Sequence, residues 1–165
     1  MPSHTETKTL PFSAKQMFDL VMDIEKYPEF LPWCLASKIT KTSSENSLEA
    51  DLVINFKGFT QKYSSNVRTS KIYAPSSFAD ANSLPLNRGS IDNELLISVA
   101  AIDGPFKNLI NAWEFKDISG GCKVKFFIDF EFKSMILGKM IGMIFQKATN
   151  KMIDAFESRA HSIYK

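Results

Sequence analysis

The best-spaced pair of residues for acid–base chemistry is Asp129 and Glu131. They alternate with apolar residues, so both carboxylates lie on one face of a predicted strand. Paired carboxylates can transfer protons, but the apolar residues between them point to a core on the other face. We interpret the pair as a solvated outer face. Asp103 belongs to an Asp-Gly-Pro turn sequence, and the two histidines, His4 and His161, lie near opposite ends of the chain.

The two cysteines, Cys34 and Cys122, are far apart and form no CxxC pair. We therefore expect two reduced thiols rather than a disulfide framework or a zinc site. The sequence contains no HExxH, GxSxG, Walker or GxGxxG motif. We expect no enzyme activity, no catalytic residue, no metal and no cofactor.

Length and composition predict one domain, residues 1–165, rich in phenylalanine. The chain has 165 residues, 14 phenylalanines and a formal net charge of +2, which argues against a DNA-binding protein. The N-terminus lacks the apolar region of a secretory signal. The most apolar run, residues 135–145, is too short to span a bilayer and carries Lys139. We expect a cytoplasmic protein that can touch the inner face of the membrane.

Alternation of apolar and polar residues predicts an antiparallel sheet of about six or seven strands with one buried face. The predicted strands are residues 3–11, 35–42, 48–56, 59–72, 94–102, 111–118 and 124–132. Residues 74–91, rich in Pro, Ser, Asn, Asp and Gly, predict a surface loop insertion.

Helical spacing predicts two helices, residues 14–23 after the N-cap Ser13 and residues 134–164 capped by Ser134. Residues 23–28 add a further helical turn, and the segment YPEFLPWC that follows from Tyr27 predicts an aromatic-rich loop or short helix. The long helix and the sheet each have an apolar face, and these faces must bury each other. Because a twisted sheet cannot contact a straight helix everywhere, an apolar gap remains. The fold class is α+β.

Gly138 and Gly142 lie one turn apart in the long helix, where each costs roughly 1 kcal/mol relative to alanine. Close backbone packing and space for a ligand both explain them, and we favour packing. Methionines suit an irregular apolar ligand, although each alone is more simply core filling. The methionines of this helix are Met135, Met140, Met143 and Met152. We expect the first half of the helix, residues 135–145, to form the ligand wall and the second half to be ordinary core.

Three segments of the chain resemble one known family. They are YPEFLPWC at Tyr27–Cys34, DGPFK at Asp103–Lys107 with the following Leu109 and Trp113-Glu114-Phe115, and DFEF at Asp129–Phe132. They are similar to the coenzyme Q-binding branch of the START-like proteins, related to polyketide cyclases and dehydrases. Bacterial members are often labelled ribosome association toxins of the RatA type. The resemblance covers nearly the whole chain, except residues 74–91, where the family loop is short.

The resemblance implies a helix-grip fold, in which the sheet grips the C-terminal helix around a hydrophobic tunnel. The implied ligand is a prenylated quinone such as ubiquinone, and the implied role is binding and delivery in respiration or quinone biosynthesis, with no bond made or broken. The predicted ligand-binding residues are Phe30, Leu31, Trp33, Phe106, Leu109, Ile110, Trp113, Phe126, Phe130, Met140, Ile141, Ile144 and Phe145.

Three hypotheses of function follow. The first is a chaperone or carrier for a prenylquinone, which the apolar alternation and the methionine-rich helix favour. The second is a protein that binds the large ribosomal subunit and blocks association of the subunits, which the near-neutral charge disfavours, since binding to RNA draws on many cations. The third is a small-molecule cyclase, which the missing acid–base cluster disfavours.

Overall fold

The computed structural model describes residues 3–56, 58–72 and 94–164. Within these ranges the chain forms seven strands, two α-helices and a 3-10 helix. In chain order they are β1 (Ser3–Leu10), α1 (Ala14–Met22), the 3-10 helix (Ile24–Glu29), β2 (Cys34–Ser44), β3 (Ser47–Phe56), β4 (Phe59–Ile72), β5 (Glu94–Asp103), β6 (Phe106–Ile118), β7 (Gly121–Phe132) and α2 (Met135–Ile163). The predicted insertion at residues 74–91 lies outside the described residues, and the single-domain assignment stays a prediction.

The strands form one antiparallel sheet in the order β1-β7-β6-β5-β4-β3-β2. Each strand from β2 to β6 pairs with the next strand along the chain, and β1 forms the other edge of the sheet by pairing with β7. The predicted α+β architecture, with a long C-terminal helix against an antiparallel sheet, is confirmed.

Strand alternation places the apolar side chains on the face that α2 covers. On β7, Val124 and Phe126 are buried whereas Lys123 and Lys125 are exposed. This is the predicted one-sided burial of an antiparallel strand. The face that carries Val124 therefore forms the inner wall of the molecule.

The helix boundaries follow from the predicted caps. The Ser13 hydroxyl accepts a hydrogen bond from the Gln16 amide at 3.0 Å, and the Gln16 side chain accepts one from the Ser13 amide at 2.9 Å, which completes a capping box. At α2, the Ser134 hydroxyl accepts a bond from the Leu137 amide at 3.2 Å. Both predicted N-caps are confirmed.

Polar contacts attach α2 to the rest of the protein mainly through its second half. Lys8 of β1 donates to Glu157 at 2.7 Å. The Tyr164 hydroxyl donates to the Gln16 carbonyl at 2.8 Å, and Arg159 pairs with Glu29 at 2.9 Å.

By contrast, the first half of α2 is attached chiefly by apolar side chains. Among its described side chains, Leu137, Ile141 and Phe145 are buried, and Gln146 reaches His4 of β1 at 3.3 Å. The second half is held by buried side chains and polar contacts together, whereas the first half is held mainly by buried apolar side chains. The first half is therefore the more easily displaced part of the helix.

The structure corrects the predicted start of β6. The strand begins at Phe106 rather than at residue 111, so Phe106, Leu109 and Ile110 are strand residues and not turn residues. The pairing with β7 is irregular between Phe106 and Asn108. This irregularity interrupts the alternation of apolar residues, which is why the pattern did not reveal the start of the strand.

The tight β5–β6 turn depends on Gly104, whose φ is +126°. A Cβ there would lie 2.5 Å from the Cβ of Tyr63 on β4. Both the backbone conformation and the close approach therefore require glycine.

Replacing Gly104 with alanine should lower the free energy of unfolding by about 2–3 kcal/mol, because strain and a clash add. For a domain of this size that corresponds to a fall in melting temperature of roughly 5–10 °C. Gly120→Ala is the matched control: its φ is +84°, but no atom lies within 4 Å of a new Cβ. Equal losses for the two variants in thermal melting would show that the contact with Tyr63 has no effect.

Candidate functional site

A cavity of about 160 Å³ lies between the inner face of the sheet and α2. Strands β2 to β7, α1, the 3-10 helix and α2 all contribute to its wall. The lining side chains are apolar or neutral polar, and every described charged side chain lies outside the wall.

The cavity separates two hydrophobic clusters. The larger cluster contains Trp113, Phe126 and Phe156, and the smaller one contains Phe130 and Phe145. All five of these residues line the cavity. The gap is therefore the space that α2 leaves between the two regions where it meets the sheet.

Aromatic rings pack against one another at the end of the cavity that contains Trp113. The ring of Trp113 lies 4.5 Å from that of Phe126 and 5.1 Å from that of Phe156, measured between centroids. It also stacks on Phe115 at 5.9 Å with an interplanar angle of 6°. Such aromatic pairs stabilise the fold by more than their buried area alone would give. This end of the cavity therefore has a fixed shape.

Two polar groups in the wall have partners within the fold. The Tyr27 hydroxyl donates a short hydrogen bond to the Val21 carbonyl. The Thr149 hydroxyl donates to the Phe145 carbonyl at 2.9 Å within α2. Neither hydroxyl can donate to a ligand without losing this bond, although each can still accept one.

Two other polar residues in the wall have polar atoms that no described residue hydrogen-bonds. Ser65 of β4 is buried, and no described residue hydrogen-bonds with its hydroxyl. Asn111 of β6 has a buried Oδ1 atom without a hydrogen-bond partner. Sequence analysis missed both residues. The signal was present for Asn111, which occupies an inward position between Leu109 and Trp113 on an alternating strand.

The acidic groups of the wall stay protonated. Burial raises the pKa of the Tyr63 hydroxyl above its ordinary value. Burial likewise raises the pKa of the Cys34 thiol, partly offset by its contact with the Ala36 carbonyl. Both groups are therefore neutral at physiological pH, and the cavity carries no charge of its own.

Most of the residues that the sequence predicted for ligand binding line this cavity. They are Leu31, Trp33, Phe106, Leu109, Trp113, Phe126, Phe130, Ile141 and Phe145. The strands and α2 bring them together from positions more than a hundred residues apart in the chain.

Three predicted residues do not line the cavity. Ile110 lies on the opposite face of β6 and is 41% exposed, because its neighbour Leu109 takes the inward position. The ring of Phe30 packs against Phe156 at 5.1 Å, behind the wall. Met140 is half-buried on α2, outside the lining. The side chain of Ile144 is outside the described part of the structure.

The division of α2 into a ligand wall and an ordinary core half is wrong. Ala148, Met152 and Phe156 of the second half line the cavity as well. Met135 and Met143 of the first half are 78% and 88% exposed and face solvent. Helical periodicity predicted the buried stripe but did not show how far along the helix the cavity extends.

Close packing does not explain the two glycines of α2. Among the described residues, a Cβ at Gly142 would have no atom within 4 Å, and one at Gly138 would meet only the Cβ of Phe132 at 3.9 Å. The preference for close packing is therefore wrong, and both positions have room for a side chain.

The described residues contain no group of three or more His, Cys, Asp or Glu side chains that could hold a metal ion. None of the described helices combines the length and apolar character needed to cross a bilayer.

Comparison with known proteins gives a consistent result. The family model for polyketide cyclase/dehydrase and lipid transport proteins matches residues 10–157. The ribosome association toxin RatA of Rickettsia prowazekii is 42% identical over 167 residues, which covers 100% of both chains. The mitochondrial coenzyme Q-binding protein COQ10 homolog B of Xenopus laevis is 28% identical and covers 98% of this chain and 59% of its own length.

A solved structure supports the fold. The START superfamily protein of Mycobacterium smegmatis superposes with a TM-score of 0.70 at 15% identity, with coverage of 98% of each chain. The resemblance found in the sequence is thus confirmed, and so is the helix-grip fold. The chain belongs to the polyketide cyclase/dehydrase and lipid transport family, with a START-like fold.

Proposed function

We propose that the chain binds and delivers a prenylated quinone such as ubiquinone, held in the cavity between the sheet and α2, in support of respiration or quinone biosynthesis. The observation that carries this proposal is the neutral, largely apolar wall of the cavity. Apolar burial stabilises an isoprenoid ligand by roughly 25 cal/mol per Å². The coenzyme Q-binding name of one relative supports the same ligand class.

The size of the cavity indicates which part of the ligand it accepts. A volume of about 160 Å³ is of the class that encloses one aromatic ring, whereas pockets for larger ligands usually measure about 300–1,000 Å³. A quinone ring therefore fits the existing space. Its tail requires the cavity to widen.

The first half of α2 is the element best suited to make that room. It is attached chiefly by the buried Leu137, Ile141 and Phe145, while polar contacts such as Lys8–Glu157 secure the second half. Displacement of this half would enlarge the cavity without breaking those contacts. The wall also holds Trp33 and Phe106, half-buried side chains at the same end of the sheet, and we place the tail exit there.

Binding without a reaction is the activity that this wall supports best. Tyr27, Tyr63 and Cys34 are the acidic groups of the wall, and the raised pKa of each makes it a poor nucleophile or base at neutral pH. Cyclases share the family description, but the wall, as formed by the described residues, contains no arrangement that favours that chemistry.

Filling the cavity should abolish retention of the quinone. Val99 lines the cavity from β5, and the adjacent Ala100 faces the other side of the sheet. Val99→Phe should lose the prenylquinone that the wild-type chain retains after purification from a ubiquinone-producing host, because the new ring occupies the ligand's space. Ala100→Phe, the matched control, should retain it. The measurement is mass spectrometry of the organic extract, normalised to protein.

The proposal is wrong if Val99→Phe carries as much prenylquinone as the wild type, or if the wild-type protein carries none. A folded Val99→Phe protein is expected, since filling an internal gap in a core costs little when volume is available.

Delivery to a membrane is supported by an exposed surface on the first half of α2, which we call the α2 patch. It consists of Met135, Ile136 and Met143, with Lys139 and Lys147 on the same side of the helix. The three apolar side chains are 78%, 75% and 88% exposed. Residues 133–153 contain no Asp or Glu, and no described residue forms an ion pair with either lysine.

Exposed apolar residues among lysines are the pattern of a helix that lies in the interface of an anionic bilayer. The apolar side chains enter the acyl boundary, and each lysine near the surface adds about 1 kcal/mol of attraction. We therefore assign the α2 patch to a bilayer that contains anionic lipids. A ligand released at this end would pass directly into the acyl region.

A second candidate function is binding to the large ribosomal subunit, which the name of the relative from Rickettsia prowazekii favours. The lysines of the α2 patch could contact RNA phosphates. A contact with RNA phosphates would not bury the exposed Met143 and its apolar neighbours. We therefore prefer the bilayer.

Vesicle flotation tests the assignment. Met143→Ser should weaken binding to vesicles of phosphatidylcholine and phosphatidylglycerol roughly ten- to hundredfold, because burial of one such side chain contributes about 1.5–3 kcal/mol. Ile163→Ser is the control, since Ile163 is an exposed apolar residue at the other end of α2. Co-sedimentation of the same variants with large subunits at physiological salt forms the second arm. Absence of vesicle binding together with co-sedimentation that Met143→Ser leaves unchanged would favour the ribosome candidate.

A further inference from the structure

Asn111 is a polar residue at the centre of an apolar wall. On β6 it lies between the inward-facing Leu109 and Trp113, and it pairs with Val99 on β5 and Ile128 on β7. All of these residues line the cavity. The Asn111 amide is therefore surrounded by apolar side chains.

The amide is not satisfied by the fold. Its Oδ1 atom is buried, and no described residue hydrogen-bonds with its Oδ1 or its Nδ2 atom. Buried polar groups are almost always paired, because burial removes their hydrogen bonds to water. An unpaired amide in the wall of a cavity can bind a ligand or a water molecule that enters the cavity.

The chemistry of the wall restricts that partner to a neutral molecule. A carboxylate or phosphate would lose its hydration without gaining a cationic partner, which is strongly unfavourable. An asparagine amide offers both a donor and an acceptor. The complementary group is therefore a carbonyl or hydroxyl oxygen on an apolar ring.

We propose that Asn111 is the specificity residue for the oxygen-bearing ring of the ligand. This inference rests on the proposed function and deepens it. The Asn111 Nδ2 group donates to a quinone carbonyl, and its Oδ1 atom accepts from the hydroxyl of the reduced form. Because the amide can rotate about its Cβ–Cγ bond, one side chain serves both forms of the ring.

Two ligands that differ only in their oxygens test the inference. They are the single-ring compounds tetramethyl-1,4-benzoquinone and 1,2,4,5-tetramethylbenzene, and methyl groups at all four reactive ring positions of the quinone prevent addition of the Cys34 thiol. Binding to the wild-type chain is measured from the change in tryptophan fluorescence, because Trp113 lines the cavity. The measured quantity is the ratio of the two affinities.

Asn111→Leu should shift this ratio roughly five- to tenfold towards the hydrocarbon, because one hydrogen bond to the ring is lost. The ligand-free variant should melt at or above the wild-type temperature, since an unpaired polar group is replaced by an apolar one. Asn66→Leu is the matched control. Its Oδ1 is also buried and unpaired, but Asn66 does not line the cavity, so its ratio should equal that of the wild type.

Asn111→Thr and Asn111→Val supply a second pair of nearly equal shape, which keeps the test decisive if Asn111→Leu does not fold. The threonine variant should retain more of the preference for the quinone than the valine variant. Binding of both ligands with an unchanged ratio in all Asn111 variants would overturn this inference and leave the proposed function intact. Failure of the wild-type chain to bind either ligand would overturn both.

Discussion

The concave face of a seven-stranded sheet has to be covered by a single helix, α2, of 29 residues. A nearly straight helix meets a curved surface in two regions, and the two apolar clusters of the core mark them. Protein interiors are normally packed without large voids. The cavity persists here because no other described element reaches the space between the clusters, so the geometry that completes the fold also creates the proposed binding site.

The two halves of α2 contribute differently to stability and to function. The second half combines buried apolar residues with polar contacts to β1, α1 and the 3-10 helix, as shown by Lys8–Glu157, Tyr164–Gln16 and Arg159–Glu29. The first half buries a narrow stripe and exposes the apolar residues of the α2 patch to solvent. Exposure of these apolar side chains to water is unfavourable, and their burial against a membrane or a partner protein removes this cost. Stability and ligand exchange are thus assigned to different parts of one helix.

Much of the architecture could be predicted because it depends on local periodicity. The alternation along β7 and the stripe of α2 gave those elements and their buried faces, and Ser13 and Ser134 gave the starts of the helices. Periodicity alone could not show how elements meet. The start of β6 was missed because the irregular pairing between Phe106 and Asn108 interrupts the alternation. Asn111 was overlooked because a polar residue in a strand is ordinary until the wall around it is known, and Met143 was taken for a buried residue although it has no partner in the described chain.

The central claim is that the quinone ring lies inside the cavity, between the sheet and α2. Intermolecular nuclear Overhauser effects between the ring methyl and methoxy protons of a ubiquinone and a methyl-labelled sample of the full chain locate it directly. The account predicts contacts from the ring to the methyl groups of Ile97, Val99 and Met152, which line the cavity. Contacts confined to the exposed methyl groups of Met135 and Met143, with none to the cavity residues, would contradict it.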